Sequence, residues 1–260
     1  GFENTSVQIA GCDPYWMSEA AKLIEDQGAR AIDINMGCPA KKVVNGYSGS
    51  ALMRDLDHAL SLIEAVVNAV DLPVTLKTRL GWDDTSLNAP ELARRAVDAG
   101  IRMIVIHGRT RCQFYKGHAD WAAIHRVKQS VSIPVIANGD IVSSDHAKHA
   151  MTQSGADGVM VGRGAQGRPW AIAEMAHTLT GSPMPNIPEG ADLVDMIAGH
   201  YEEILGFYGT ELGVRVARKH LGWYMDQART DRQLRHAILT ANDPQDVFVH
   251  LSDAILQEAA

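Results

Sequence analysis

A cysteine followed by proline lies at the end of a short apolar segment, in the stretch DINMGCPAKKVV. An ordinary cysteine thiol is mostly protonated at neutral pH, so Cys38 could donate a proton as a general acid. It could also act as a nucleophile if its surroundings favoured the thiolate. A small buried structural cysteine is the alternative, which the position before Pro39 disfavours. The small residues from Gly46 to Ala51 predict a loop that can move.

Polar side chains interrupt or end all six of the apolar segments in the first 165 residues. A buried lysine without a counter-charge is unfavourable, so Lys77 in VTLKTRL should meet an anion or an electron-rich ligand. A loop-edge polar residue is the more common interpretation of any one position, but six segments that share the pattern favour a single site. The other polar residues at these positions are Gln8, Asn35, Arg79, His107, Arg109, Asn138, Asp140 and Arg163.

Glycine-rich loops follow the last two of these segments, in VIANGDI and VMVGRGAQGRPW. Exposed backbone N–H groups in such loops can bind phosphate, and the loops after the final strands of a barrel commonly do so. Gly139, Gly162, Arg163 and Gly164 therefore indicate a ligand that carries a phosphate. Tight turns explain each loop equally well when it is taken alone.

The segments that must position these residues read as buried parallel strands, because they are short, rich in Val and Ile, and apolar on both faces. They are SVQIAG, AIDINMG, LPVTLKTRL, MIVIHGRT, IPVIANGD and GVMVGRG. Helical patterns lie between them; Asp13-Pro14 begins one and Gly28 ends it. Repeated βα units of this length predict a (β/α) barrel. A doubly wound open sheet is disfavoured because no early G-x-G-x-x-G motif follows a strand.

The second part of the chain is predicted to be helical. We expect the barrel over residues 1–180, a proline-rich linker over 181–190 and a helical bundle over 191–260, with Asp243-Pro244 beginning its last helix. Residues 215–235 carry six basic and two acidic residues, a net charge of +4. A solvated helix face and a phosphate-binding face formed by Arg215, Arg218 and Lys219 explain this stretch equally well.

Composition limits the class of protein. Three cysteines at irregular spacing give neither a disulfide framework nor a paired zinc motif, and this favours a reducing cytoplasm. No apolar run reaches the length of a membrane helix, so we expect no membrane partner. No metal-ligand cluster is visible in the sequence, so we expect no metal. The net charge of −7 argues against a nucleic-acid partner only as an average, since a local basic patch can lie within it.

Taken together, NMGCPAKKV, LKTR, IHGRTRCQFYKG, ANGDI, GRGAQGRPW and ARKHLGWY resemble the tRNA-dihydrouridine synthases, most closely the bacterial B-type branch. The resemblance implies a flavoprotein oxidoreductase of tRNA processing, with an FMN-bearing barrel and a helical tRNA-binding domain. NADPH would reduce the flavin, which would pass hydride to C6 of a uracil, and Cys38 would protonate C5. The uracil would be extruded from the tRNA, with Asn35 and Arg109 as candidates to bind it. The residues implied to bind FMN are Gln8, Lys77, His107, Asn138, Gly139, Asp140, Gly162 and Arg163.

The strand count departs from this family, since six strands are predicted and a closed barrel has eight. We therefore expect the first two βα units to be absent and the 260-residue chain alone to be inactive. We also expect the full-length protein to be monomeric. Two other functions remain open. One is an FMN-dependent barrel oxidoreductase that acts on a free small molecule, and the other is a non-catalytic tRNA-binding remnant.

Overall fold

The computed structural model describes residues 5–256 and contains one parallel sheet. Its strands are hydrogen-bonded in chain order, whereas a doubly wound sheet reverses its order, so the sequential arrangement confirms the barrel-type prediction. Within residues 5–256, the first strand pairs only with the second and the sixth only with the fifth. The strands are β1 (Ser6–Ile9), β2 (Ala31–Met36), β3 (Val74–Arg79), β4 (Met103–His107), β5 (Val135–Asn138) and β6 (Gly158–Met160).

Helices connect these strands, as the βα repeat predicts. The Asp13 side chain accepts a hydrogen bond from the Trp16 backbone N–H, and Pro14 is the first helical residue, which confirms the predicted start. Gly28 has φ +79° directly after the helix, a conformation that glycine adopts without strain. The helices are α1 (Pro14–Asp26), α2 (Lys41–Asn45), α3 (Leu56–Val67), α4 (Ala89–Asp98), α5 (Trp121–Ser130) and α6 (Ser144–Ser154), with a 3-10 helix at Gly49–Arg54.

The two faces of the sheet differ in chemistry. Parallel partners point to the same side, so the register divides the side chains into two sets. One set is mostly apolar, and its members Ile34, Leu76 and Ile104 lie fully buried in one row. The opposite face is polar toward the carboxyl ends of the strands. It carries Gln8, Asp33 and Thr75 in one row, Asn35 and Lys77 in the next, and Arg79, His107 and Asn138 in the last.

The chain divides into two compact units, the first containing residues 1–141 and 145–162 and the second Val142–Ser144 with the chain from Arg163 onward. Residues 181–189 contain no helix or strand, and the division into barrel, linker and bundle stays a prediction. The second unit contains a 3-10 helix at Arg163–Ala165 and the helices α7 (Ala171–Thr180), α8 (Gly190–Tyr208), α9 (Thr210–Ala228), α10 (Arg232–Thr240) and α11 (Pro244–Leu256).

The core of the second unit is formed by α8 to α11. Gly213 on α9 allows a close approach to α8, because a Cβ there would lie 3.0 Å from the Leu205 Cα. Asp243 accepts a hydrogen bond from the Gln245 backbone N–H, which confirms the predicted start of α11. Val247, Leu251 and Ile255 on α11 are buried as predicted, together with Tyr201, Leu221 and Met225. Among the described residues, no helix is long and apolar enough to cross a membrane.

Candidate active site

The turn that carries Cys38 is held from both sides. The Asn35 Oδ1 accepts hydrogen bonds from the backbone N–H groups of Gly37 at 3.0 Å and Cys38 at 2.9 Å. The Cys38 carbonyl accepts from the backbone N–H of Ser50 at 3.1 Å and from its hydroxyl at 2.9 Å. The Cys38 thiol is free and half-buried. This turn therefore presents a thiol at a fixed place beyond the carboxyl end of β2.

The second half of the predicted movable loop, residues 49–51, lies in a buried 3-10 helix. Residues 49–53 are all buried in the 3-10 helix Gly49–Arg54. Gly49 has φ +60°, and a Cβ there would lie 2.8 Å from the Cys38 carbonyl oxygen. The residues are small because this helix packs directly on the cysteine turn.

Asn35 also belongs to a chain of polar contacts across three strands. Its Nδ2 donates to the Gln8 Oε1 at 2.7 Å, and the Gln8 Nε2 donates to the Asp33 Oδ2 at 2.6 Å. The Thr75 hydroxyl donates to the other Asp33 oxygen at 2.7 Å. The structure therefore shows Asn35 as a support of the Cys38 turn, whereas the sequence suggested only a contact with uracil, and it ties the amide of Gln8 to the same network.

Lys77 lies beside Asn35 in the register, on the polar face of β3. Burial lowers the pKa of the Lys77 ammonium, and the nearby Arg79 guanidinium adds to the effect. Within residues 5–256 the ammonium has no hydrogen bond and no ion pair. A half-buried ammonium with unused donors suits a ligand that offers acceptor atoms, as the sequence predicts.

His107 pairs with Arg79 on one side and Asn138 on the other. Burial, followed by the charges of Arg79, Lys77 and Arg109, lowers the pKa of the imidazole to about 3. His107 is therefore neutral at physiological pH. A neutral imidazole has one donor and one acceptor nitrogen. Because the Arg109 Nη1 lies 3.3 Å from the His107 Nε2 and can only donate, Nε2 is the acceptor and the Nδ1–H is the donor that a ligand could use.

Arg109 is not available to a substrate in this structure. Its guanidinium forms a two-point ion pair with Asp140, with Nη2–Oδ2 at 2.6 Å and Nη1–Oδ1 at 3.0 Å. Its remaining donors reach the carbonyls of Lys116 and Gly117 and the His107 Nε2. All five guanidinium N–H groups thus have partners inside the protein, and the Asp140 carboxylate also accepts from the backbone N–H of Ala119. The pair fixes the loop after β4 to the loop after β5.

Gly139 lies directly against the His107 imidazole. It has φ +112°, and a Cβ there would lie 2.6 Å from the His107 Cδ2. Its carbonyl accepts from the Trp121 indole N–H at 2.8 Å, and the neighbouring Asn138 Nδ2 donates to the Met160 carbonyl at 2.9 Å. Gly139 thus lets the backbone approach the imidazole, and no side chain could occupy that space.

The sequence placed Arg79 at a strand end but predicted no role for it. It is buried and donates to the carbonyls of Gly37 at 2.8 Å, Thr110 at 2.9 Å and Phe114 at 2.9 Å. Burial lowers the pKa of its guanidinium to about 10, so it remains charged at neutral pH. Arg79 therefore joins the Cys38 turn to the loop 108–118. Its place two residues after Lys77, on the same face of β3, was the available signal.

Three predicted phosphate contacts remain: Gly162, the last residue of the first unit, and Arg163 and Gly164, which belong to the second. Gly162 is exposed, and a Cβ there would meet nothing within 4 Å. Arg163 is exposed and begins the 3-10 helix of the second unit. Their role in phosphate binding stays a prediction.

The basic residues of α9 differ in their surroundings. Arg215 is exposed and pairs with Glu211 at 3.1 Å, and Lys219 is exposed. Arg218 is half-buried and donates to the Ala241 carbonyl at 3.2 Å and to the Asn242 Oδ1 at 3.3 Å. Only Arg215 and Lys219 can thus meet an outside partner without disturbing the helix packing.

The sequential parallel sheet with polar groups at its carboxyl ends defines an enzyme of the (β/α)-barrel class. The sequence matches the profile "Dihydrouridine synthase (Dus)" over residues 2–260, so the chain belongs to the dihydrouridine synthase family. Two similar proteins are a probable tRNA-dihydrouridine synthase of Rhodobacter capsulatus, 57% identical over 98% of this chain and 78% of its own, and tRNA-dihydrouridine synthase B of Xanthomonas campestris, 51% identical over 92% and 72%.

A solved structure shares the fold alone. It is a mandelate racemase/muconate lactonizing enzyme from Roseiflexus sp., with a TM-score of 0.50 and 16% identity, over 73% of this chain and 49% of that one. In the described part of this chain, no group of three or more His, Cys, Asp or Glu side chains could hold a metal ion.

Proposed function

We propose that this protein reduces uridines in tRNA to 5,6-dihydrouridine, with FMN as its cofactor and NADPH as the electron donor. The observation that carries the proposal is the Cys38 turn, which Asn35 and Ser50 hold at the carboxyl end of the sheet beside Lys77. Membership of the dihydrouridine synthase family supports the reaction. The names of the similar proteins support tRNA as the substrate.

The residues on the polar face of the sheet fit a flavin. Lys77 has donors without partners, His107 is neutral, and Gly139 keeps the backbone close to the imidazole. Lys77, His107, Asn138 and Gln8 would hold the ring system, with the glycine loops toward its phosphate. The flavin, when bound, supplies the hydride.

Cys38 is the proposed proton donor to C5 of the uracil. General acid catalysis needs a protonated group at a fixed position near the accepting atom. The two hydrogen bonds to Asn35 and the two from Ser50 fix the backbone of the cysteine on both sides. Because the uracil must leave its stack to reach this turn, the protein acts on an extruded base.

The Cys38→Ala variant of the full-length protein tests this role. We expect dihydrouridine formation to fall by about 10²-fold or more, the usual effect of losing a general acid. Flavin content and NADPH oxidation should match the unmodified protein, since neither uses the thiol. Cys112→Ala is the matched control, because Cys112 is an exposed free cysteine on another loop. Unchanged turnover in Cys38→Ala would remove the thiol from the mechanism.

Flavin reoxidation in the presence and absence of tRNA separates this function from reduction of a free small molecule.

A tRNA-binding surface on α9 is proposed to contain Arg215 and Lys219. Reversal of both to Glu, with Arg218 retained, should weaken tRNA binding and flatten its salt dependence by about 0.7–0.9 for each lost phosphate contact. An unaltered salt slope would identify a solvated helix face.

A further inference from the structure

A cationic cluster that the proposed chemistry does not use lies near the Cys38 turn. The guanidinium of Arg54 lies 4.8 Å from the centroid of the Trp82 ring, and that of Arg111 lies 4.7 Å from it. Two like charges are thus placed against a single indole. We refer to Arg54, Trp82 and Arg111 as the arginine–tryptophan cluster.

The cluster is attached to the cysteine turn through short, hydrogen-bonded connections. Arg54 ends the 3-10 helix whose Ser50 holds the Cys38 carbonyl. Trp82 follows Arg79 by three residues, so its Cα lies within ~11 Å of the Arg79 Cα. Arg111 follows Thr110, whose carbonyl accepts from Arg79.

Backbone hydrogen bonds make the cluster a fixed surface. The Arg111 N–H donates to the Gly81 carbonyl at 3.0 Å, and the Cys112 N–H donates to the Trp82 carbonyl at 2.9 Å. The indole then supports each guanidinium by a cation–π contact. The two charges are therefore positioned before any ligand arrives.

Neither charge is neutralised within the described residues. Between residues 5 and 256, no carboxylate forms an ion pair with Arg54 or Arg111. The Nε of Arg111 is buried and has no hydrogen-bond partner there. The Oδ1 of the neighbouring Asp83 carboxylate accepts hydrogen bonds from the hydroxyls of Thr85 and Ser86. Unpaired donors on two guanidinium groups fit phosphate oxygens, which arginine binds through paired N–H groups.

We propose that the arginine–tryptophan cluster binds the backbone phosphates of the RNA strand that carries the target uridine. The inference rests on the proposed function and deepens it, because it names a contact that lies beside the cysteine turn. A strand whose base is extruded needs its flanking phosphates held while the base is out of the stack. The cluster supplies that grip by charge, and it reads no base edge.

The test is the salt dependence of tRNA binding by the double variant Arg54→Gln, Arg111→Gln. With two contacts to a single-stranded region lost, the slope of log K against log salt should become shallower by about 1.4, and binding near 0.15 M salt should weaken roughly tenfold. Arg94→Gln, Arg126→Gln is the matched control, because these exposed arginines lie on α4 and α5 and the net charge changes equally. The control should keep the original slope.

Variants at Trp82 test the platform itself. Trp82→Phe keeps an aromatic face and should keep most of the slope, whereas Trp82→Leu should lose part of it. A double arginine variant that binds with the control's slope, or a Trp82→Leu variant that binds like the unmodified protein, would overturn the inference alone. A full-length protein that binds no tRNA and forms no dihydrouridine would overturn the proposed function as well.

Discussion

The support of Cys38 by Asn35 can be tested by the Asn35→Ala substitution. The change removes the oxygen that accepts from the backbone N–H groups of Gly37 and Cys38, at 3.0 and 2.9 Å. Each such hydrogen bond contributes about 1 ± 0.5 kcal/mol. Because Asn35 is half-buried, water can reach the vacated donors, so we expect a loss of about 1–2 kcal/mol in the free energy of unfolding.

The effect on activity should exceed the effect on stability. A displacement of the thiol by about 1 Å can lower a rate by about 10²-fold. We expect kcat for dihydrouridine formation to fall while KM for tRNA stays constant, because the lost interaction positions a reacting group and does not bind tRNA. Alkylation of Cys38, measured against that of the exposed Cys112 in the same sample, should change in rate.

Asn68→Ala is the control, since Asn68 is an exposed residue at the end of α3. It should leave kcat, KM and the alkylation ratio unchanged. An Asn35→Ala variant with the original alkylation ratio and the original kcat would refute the positioning role. A parallel fall in flavin content would instead place the effect of the substitution in the network through Gln8.

Two further predictions concern the residues behind the site. Gly139→Ala should destabilise the fold by about 2–5 kcal/mol in chemical denaturation, because the backbone is strained at φ +112° and the new Cβ would lie 2.6 Å from the His107 Cδ2. Gly162→Ala is the control and should change the stability little, since a Cβ there would meet nothing within 4 Å. The pKa of His107 is lowered to about 3 in the fold, so burial of the neutral imidazole contributes fully to stability above the ordinary pKa of about 6.5. As the pH falls from about 6.5 toward 3, the free energy of unfolding should decrease by up to about 1.4 kcal/mol per pH unit. His107→Asn should flatten thermal unfolding plotted against pH in that interval, and an unchanged profile would contradict the assignment.

The strands and the helix starts were predictable because their signals are local. A buried parallel strand is apolar on both faces, so all six segments could be recognised without knowing their neighbours. The Asp-Pro pairs at Asp13 and Asp243 likewise specify helix starts through contacts within three residues. The bounds of all six strands in the structure lie within the predicted segments.

The partners of the polar residues were not predictable in this way. Arg109 and Asp140 each follow a strand and each suggested a ligand contact, yet they bind one another across 31 positions of sequence. Asn35 likewise suggested a ligand contact, yet its Oδ1 accepts from the Cys38 backbone N–H and its Nδ2 donates to Gln8 on β1. Whether a polar group at a strand end faces a ligand or another side chain depends on which loops meet, and no local pattern carries that information.

The bonds of Arg79 have a consequence for how this protein can change. All three of its acceptors are backbone carbonyls, those of Gly37, Thr110 and Phe114. The side chains at positions 110 and 114 can therefore be replaced without loss of these bonds, while an insertion or deletion between them would move both oxygens. A chimera that takes loop 108–118 from a relative should thus tolerate many differences in residue type and few in length. Arg79→Lys would not substitute, since a single ammonium cannot reproduce the planar fork of a guanidinium.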